Sequence, residues 1–82
     1  MPKEIIFLGK RYTWLIGSGP EDMYMEVNDV DTGAVVLGIT QDDETGLRTL
    51  TTVDNPVAVD VIKQALSIFD SEVQWPIPRI QD

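Results

Sequence analysis

The apolar residues of this chain change their spacing once, and this single change predicts the fold. Through residue 53 they come in short runs that alternate with polar residues, the two-residue period of half-buried strands. From Val57 to Val73 they recur at helical spacing, on an arc of about 200°. A chain of 82 residues has room for one domain with one modest core. The pattern therefore predicts an α+β domain in which the sheet comes first.

The strand-like part, residues 3–53, predicts four or five mostly antiparallel strands in a meander, because every link between the runs is short. Gly9-Lys10 is expected to form a type II′ turn after the first run. Asp31-Thr32-Gly33 predicts a second turn, and residues 41–46 an acidic loop. The predicted strands are residues 4–8, 11–16, 23–28, 34–40 and a threonine-rich fifth candidate, 47–53.

One helix is predicted over about residues 56–72, packed on one face of the sheet. Pro56 suits the first helical position, and Asn55 or Asp54 can supply the N-cap oxygen. The apolar arc is wider than a helix lying on one sheet needs. We therefore expect the helix to lie in a groove of a curled sheet, or to be flanked by the C-terminal tail or a second copy of the chain.

The tail, residues 73–82, is predicted to be extended, because Pro76 and Pro78 disfavour helical geometry in the residues before them. Trp75 is the notable side chain of this segment. We expect it to fold back over the helix or the sheet edge, since leaving so large an apolar surface in water is unfavourable. The alternative is that it anchors a partner.

Negative charge is concentrated in the middle of the chain. The chain has 14 acidic and six basic residues, for a net charge of −8, and between Tyr12 and Leu47 there is no lysine or arginine. A concentrated charge of this kind attracts a basic partner over a distance and repels nucleic acid and anionic membranes. The eight acids of this stretch are Glu21, Asp22, Glu26, Asp29, Asp31, Asp42, Asp43 and Glu44.

We expect these eight carboxylates to converge into one partner-binding face, with Trp75 or an outward-facing Tyr24 as its aromatic anchor. The alternative is that the acids only occupy solvated turns, where aspartate is common for local reasons. The surrounding bases Arg11, Arg48 and Lys63 would weaken the hypothesis if they neutralised this face.

The side-chain inventory argues against catalysis and metal binding. The chain has no histidine and no cysteine, so the usual general base, the thiol nucleophile and the commonest transition-metal ligands are missing. Two oxygen-rich loops suggest calcium, but from Asp29 the twelfth residue is Thr40, and from Asp42 it is Val53, where an EF-hand needs glutamate. We predict no enzyme activity, no cofactor and no metal site.

The longest apolar runs are too short to cross a bilayer or to form a signal-peptide core, and the scattered bases make no nucleic-acid-binding stripe. We therefore expect a cytoplasmic protein with no direct contact to membranes or nucleic acid. The favoured function is that of a small acidic binding protein that engages a basic protein, as inhibitors, toxin-neutralising proteins and nucleic-acid mimics do. The alternative is an assembly subunit that self-associates through its helix flank, sheet edge or tail. A small-ligand carrier is a third possibility.

Overall fold

A computed structural model describes residues 4–73 and shows a five-stranded antiparallel sheet followed by one helix. The strands pair only with their sequence neighbours, so their order in the sheet is their order in the chain. The predicted α+β meander is therefore confirmed, and so is its fifth strand. Residues 74–82, with Trp75 and the two prolines of the predicted tail, lie outside the described residues. The elements are β1 (Glu4–Phe7), β2 (Lys10–Ser18), β3 (Asp22–Asp29), β4 (Val35–Asp42), β5 (Arg48–Thr52) and α1 (Val59–Glu72).

The core lies between one face of the sheet and α1. Along the strands every second side chain points to this helix face, and the register aligns them across the sheet, Val27 with Leu37 and Met25 with Ile39. From α1 the residues at positions i, i+4 and i+8 meet them. The buried apolar residues are Ile5, Met25, Val27, Leu37, Ile39, Val61, Ala65, Phe69 and Val73. The other face of the sheet is not covered by the helix and is called the open face below.

The helix begins three residues later than predicted. Its N-cap is Ala58, with no side-chain hydrogen bond, so neither Asn55 nor Asp54 caps it. The chain is still paired with the sheet at Val53, whose N–H donates to the carbonyl of Val36 at 3.0 Å. Asp54 then adopts a left-handed backbone with φ 64°, which aspartate tolerates better than most residues. Residues 54–58 therefore connect β5 to α1 and do not form the first turn of the helix.

The first hairpin turn is formed by Leu8-Gly9, not by Gly9-Lys10. Phe7 pairs with Lys10, and both turn residues have positive φ, 52° and 78°. This is the type I′ geometry, whose twist matches that of the flanking strands and which Asn-Gly adopts most readily. Leucine is a poor residue for the left-handed region, and the side chain of Leu8 is 88% exposed. The strained backbone of Leu8 therefore destabilises the fold, and burial of its side chain does not offset this cost.

Leu8→Asn is expected to stabilise the domain by about 1 kcal/mol, because asparagine relieves most of the left-handed backbone strain. The free energy of unfolding from urea denaturation measures this effect. Leu8→Ala is the matched control, since it removes the exposed side chain and keeps the strain. Equal stability of the two variants would contradict the assignment of strain to Leu8.

Candidate functional site

The meander sorts the acidic turns between two ends of the sheet. In an antiparallel meander successive turns lie at alternate ends, so the β2–β3 and β4–β5 turns are neighbours. The N–H of Asp43 donates to the carbonyl of Glu21 at 3.0 Å and joins these two turns directly. Four of the eight predicted carboxylates line a shallow depression of about 350 Å³ here, and a fifth, that of Asp22, lies at the same end of the sheet as the register partner of Asp42. We call this group the acidic end: Glu21, Asp22, Asp42, Asp43 and Glu44.

Two members of the acidic end face each other across the sheet. Asp22 of β3 and Asp42 of β4 are register partners, on the open face. Like charges at directly opposed positions of neighbouring strands are destabilising. Within residues 4–73 no ion pair involves Glu21, Asp22 or Asp43. The acidic end is therefore a concentration of charge that the fold itself does not neutralise at these positions.

Asp42 also has a structural role. Its Oδ1 accepts hydrogen bonds from the N–H groups of Glu44 at 2.7 Å and Thr45 at 2.9 Å. The Thr45 hydroxyl oxygen accepts from the N–H of Leu47, and Gly46 takes the left-handed φ of 76° that closes the turn. The N–H groups of Thr45 and Glu44 lower the pKa of the Asp42 carboxyl. This carboxylate holds the β4–β5 turn as well as contributing charge.

The β3–β4 turn repeats this arrangement at the opposite end of the sheet. Asp29 Oδ1 accepts from the N–H of Asp31 at 2.8 Å and of Thr32 at 3.4 Å, the Thr32 hydroxyl oxygen accepts from the N–H of Ala34, and Gly33 has φ 74°. The sequence carries the signal for both turns, Asp-x-x-Thr-Gly between two strands. The sequence predicts a turn at Asp31-Thr32-Gly33 and an acidic loop at residues 41–46, and it excludes an EF-hand at both, but the shared pattern is not part of that prediction. The repeated pattern explains them as carboxylate-capped turns.

Asp29 and Asp31 are separated from the acidic end and are compensated by a base. Lys10 Nζ lies 2.8 Å from Asp29 Oδ2 and 3.5 Å from Asp31 Oδ2. The hydrogen bond from Lys10, together with the turn amides, holds the pKa of the buried Asp29 carboxyl below its usual range. The same contact raises the pKa of Lys10. These two acids therefore do not share a surface with the other five.

Glu26 occupies a third location, in the middle of the open face. Its register partners are Leu15 and Gly38, and with Asp22, Tyr24 and neighbouring threonines it lines a wide depression of about 380 Å³. Tyr24, the alternative aromatic anchor, does lie on the open face, where its ring covers Gly17 so closely that a Cβ there would be 2.6 Å from the hydroxyl. The structure thus brings five of the eight acids together at one end of the sheet, places Glu26 next to this group through the depression that it shares with Asp22, and puts Asp29 and Asp31 at the other end.

Two of the bases form ion pairs with Glu4 and Asp70, and the charge of Asp31 also acts on Arg11. Arg48 points to the helix face, where its Nε donates to Gln41 Oε1 at 2.7 Å and its guanidinium pairs with Asp70. The same group lies 4.9 Å from the centre of the Phe69 ring. Arg11 pairs with Glu4 at 2.7 Å. These bases are thus paired with acids that lie outside the central acidic stretch of the sequence.

The described part of the chain shows neither a metal centre nor a membrane span. In residues 4–73, His, Cys, Asp and Glu side chains do not gather in groups of three that could hold a metal ion. The 14 residues of α1 fall short of the length and apolarity that a transmembrane helix requires. Comparison with protein-family models, with curated proteins and with solved structures finds no match to this chain.

Proposed function

We propose that this protein is a small acidic binding protein that engages a basic site on another protein through its acidic end. The observation that supports this most is the pair Asp22 and Asp42, opposed on neighbouring strands with three more carboxylates on the adjoining turns. Selection for folding alone disfavours such a pair, because like charges opposite each other destabilise a sheet. A lysine or arginine of a partner would be attracted by both carboxylates, and this attraction would offset the repulsion between them.

The charge is also directional. The acidic end lies on the β2–β3 and β4–β5 turns, whereas Lys10 lies at the other end of the sheet, between Asp29 and Asp31. A field with this asymmetry orients the molecule as it approaches a cationic surface, which raises the association rate more than the final affinity. Inhibitors, toxin-neutralising proteins and nucleic-acid mimics use this physics.

The proposed role is binding and not catalysis, and we place it in the cytoplasm. A chain without histidine and cysteine lacks the side chains that most often move protons or attack substrates near neutral pH. A chain without cysteine also needs no oxidising compartment to fold. Asp29 and Asp31 are left out of the proposed surface, because Lys10 already pairs with them.

The test compares two variants with equal changes in net charge. Glu21→Lys with Asp43→Lys reverses two charges of the acidic end and leaves the turn-forming Asp42 in place. Asp31→Lys with Asp60→Lys is the control; both residues are exposed and lie in the β3–β4 turn and in the first turn of α1. Each pair of changes moves the net charge from −8 to −4.

The wild-type chain, immobilised at low salt, is expected to capture a basic protein from a native lysate and to release it in a salt gradient. For the captured protein, the acidic-end variant should associate at least about ten-fold more slowly, with a weaker salt dependence, and the control should stay near the wild-type rate. An oligolysine peptide should shift the NMR amide signals of residues 21–22 and 42–46 before others. Equal losses in both variants would show that net charge alone matters and would overturn the proposed surface.

A further inference from the structure

The two edges of the sheet differ in their protection. At the β1 edge the side chain of Gln64 from α1 donates its Nε2 hydrogen to the carbonyl of Ile6 at 3.2 Å. A contact of this kind occupies a backbone group that a foreign strand would need. At β5 no hydrogen bond within residues 4–73 occupies the backbone of Leu50 or Thr52 from the outside. Among residues 4–73, the last strand is therefore the edge without such protection.

The hydrogen-bonding pattern decides which groups this edge presents. In an antiparallel pair, alternate residues bond to the partner strand and the others point away from it. The N–H of Asp42 bonds to the carbonyl of Leu47, and the N–H of Val53 bonds to the carbonyl of Val36. Odd-numbered residues of β5 thus bond to β4. The N–H and C=O groups of Leu50 and Thr52 point outward.

We propose that β5 pairs with β5 of a second copy of this chain, antiparallel and centred on Leu50, to form one continuous ten-stranded sheet. A two-fold axis at Leu50 places this residue opposite its own copy, with two N–H···O=C bonds between them. A two-fold interface uses the β5 edge of both copies, so no β5 edge remains for a third copy and the association stops at the dimer. This inference is independent of the proposed binding function, which uses the acidic end.

The side chains of the strand are complementary to themselves in this register. Leu47 falls opposite Val53 of the second copy, and these residues are 67% and 40% exposed in the single chain. Thr49 falls opposite Thr51, on the same open face. Pairs of β-branched and apolar side chains at opposed positions stabilise a sheet, and no like charges meet within β5. The contact area gained is therefore mostly from side chains that a monomer leaves in water.

The strand also lacks the features with which sheet edges usually prevent such pairing. Thr49, Leu50 and Thr51 carry no charge, and β5 has no proline and no bulge against β4. The one charged side chain of the strand, Arg48, is directed to the helix face, where it pairs with Asp70. Threonine at the exposed positions fits a strand that is half-buried on pairing.

The expected salt dependence distinguishes this dimer from the acidic-end complex. Both copies carry a net charge of −8, so they repel each other, and the register brings Asp54 of one copy towards the acidic β4–β5 loop of the other. Added salt screens this repulsion. The dimer should become tighter with salt, whereas capture of a basic protein should become weaker.

Sedimentation equilibrium of the full chain tests the register with two double variants. Thr49→Lys with Thr51→Lys sets two lysine pairs against each other across the axis, whereas Thr49→Lys with Thr51→Glu sets lysine opposite glutamate. The first is expected to weaken dimerisation at least ten-fold and the second to preserve or strengthen it. If only net charge mattered, the first variant would dimerise more tightly than the second. The first moves the net charge from −8 to −6 and so reduces the repulsion between copies, whereas the second leaves it unchanged.

A second pair of variants probes the backbone. Thr52→Pro removes an outward N–H that β4 does not use, and Thr52→Val keeps it. Only the proline variant should lose the dimer, with circular dichroism of both variants unchanged.

In the wild type, the amide of Leu50 should gain hydrogen-exchange protection as protein concentration rises. A wild-type monomer at high salt and high concentration, or equal dimerisation of the two lysine-bearing variants, would overturn the proposal and leave the acidic-end proposal standing.

Discussion

Phe69→Ala is expected to lower the free energy of unfolding by about 3–5 kcal/mol, the usual effect of emptying a buried aromatic site. Phe69 is fully buried and is one of the three residues with which α1 meets the sheet. Its ring also lies under the guanidinium of Arg48, so the substitution removes a cation–π contact in addition to core volume. Small domains are stable by roughly 5–15 kcal/mol in total, so a large share of the stability should be lost.

Val59→Ala is the control for this substitution, since Val59 belongs to the same helix and is 64% exposed. Its effect should stay within about 0.5 kcal/mol. Urea denaturation followed by circular dichroism gives the free energy of unfolding of both variants. An unchanged slope of this free energy against urea concentration shows that the unfolding reaction is the same. A loss below about 1 kcal/mol for Phe69→Ala would mean that α1 does not close the core through this ring.

Acid should destabilise the domain through its two carboxylate-capped turns. Folding lowers the pKa of the carboxyl groups of Asp29 and Asp42 below their usual value of 3.8. Their contribution to stability is therefore complete above this pH and is lost as the pH falls through their folded-state pKa values. Asp29→Asn and Asp42→Asn keep a turn-capping oxygen and remove the titration. Each should reduce the proton uptake on acid unfolding by up to one proton.

The two variants should differ at high pH. The Asp29 carboxylate is the main reason why folding raises the pKa of Lys10 above 10.5. This contribution to stability is present below pH 10.5 and disappears as the pH rises through the folded-state pKa of Lys10. Asp29→Asn should therefore flatten both the acid and the alkaline limbs of the stability profile, and Asp42→Asn only the acid limb. Urea midpoints across the pH range measure this, and identical alkaline limbs would contradict the role of the Lys10–Asp29 pair.

Much of the fold could be predicted because each element has a local cause. Alternation in the strands places Met25 and Val27 on one face of β3, and the helical spacing places Val61, Ala65 and Phe69 on one side of α1. The predicted end of the helix at residue 72 is also correct. Wrong predictions occurred at junctions. Both the start of α1 and the first turn depend on how the chain crosses between elements.

The candidate site could be predicted only in part. The sequence shows that the acids are concentrated between Tyr12 and Leu47, but the end of the sheet at which each turn lies depends on the number of strands before it. Because successive turns of the meander alternate between its two ends, the 43–47 turn lies beside the 19–21 turn, and the 30–34 turn lies at the other end. The sequence analysis predicts a turn at Asp31-Thr32-Gly33 but not the capping role of Asp29 and Asp42, for which the repeated Asp-x-x-Thr-Gly pattern is the signal.

The sequence by itself determined the kinds of elements, their order and their inward-facing residues, because backbone periodicity acts between near neighbours and leaves its mark in the spacing of apolar side chains. Only the tertiary structure decided which carboxylates share a surface, that Lys10 pairs with Asp29, and that, within residues 4–73, Gln64 bonds to the backbone of β1 whereas β5 has no such contact. These features join residues distant in the chain. They depend on strand pairing and helix placement, which local spacing does not specify.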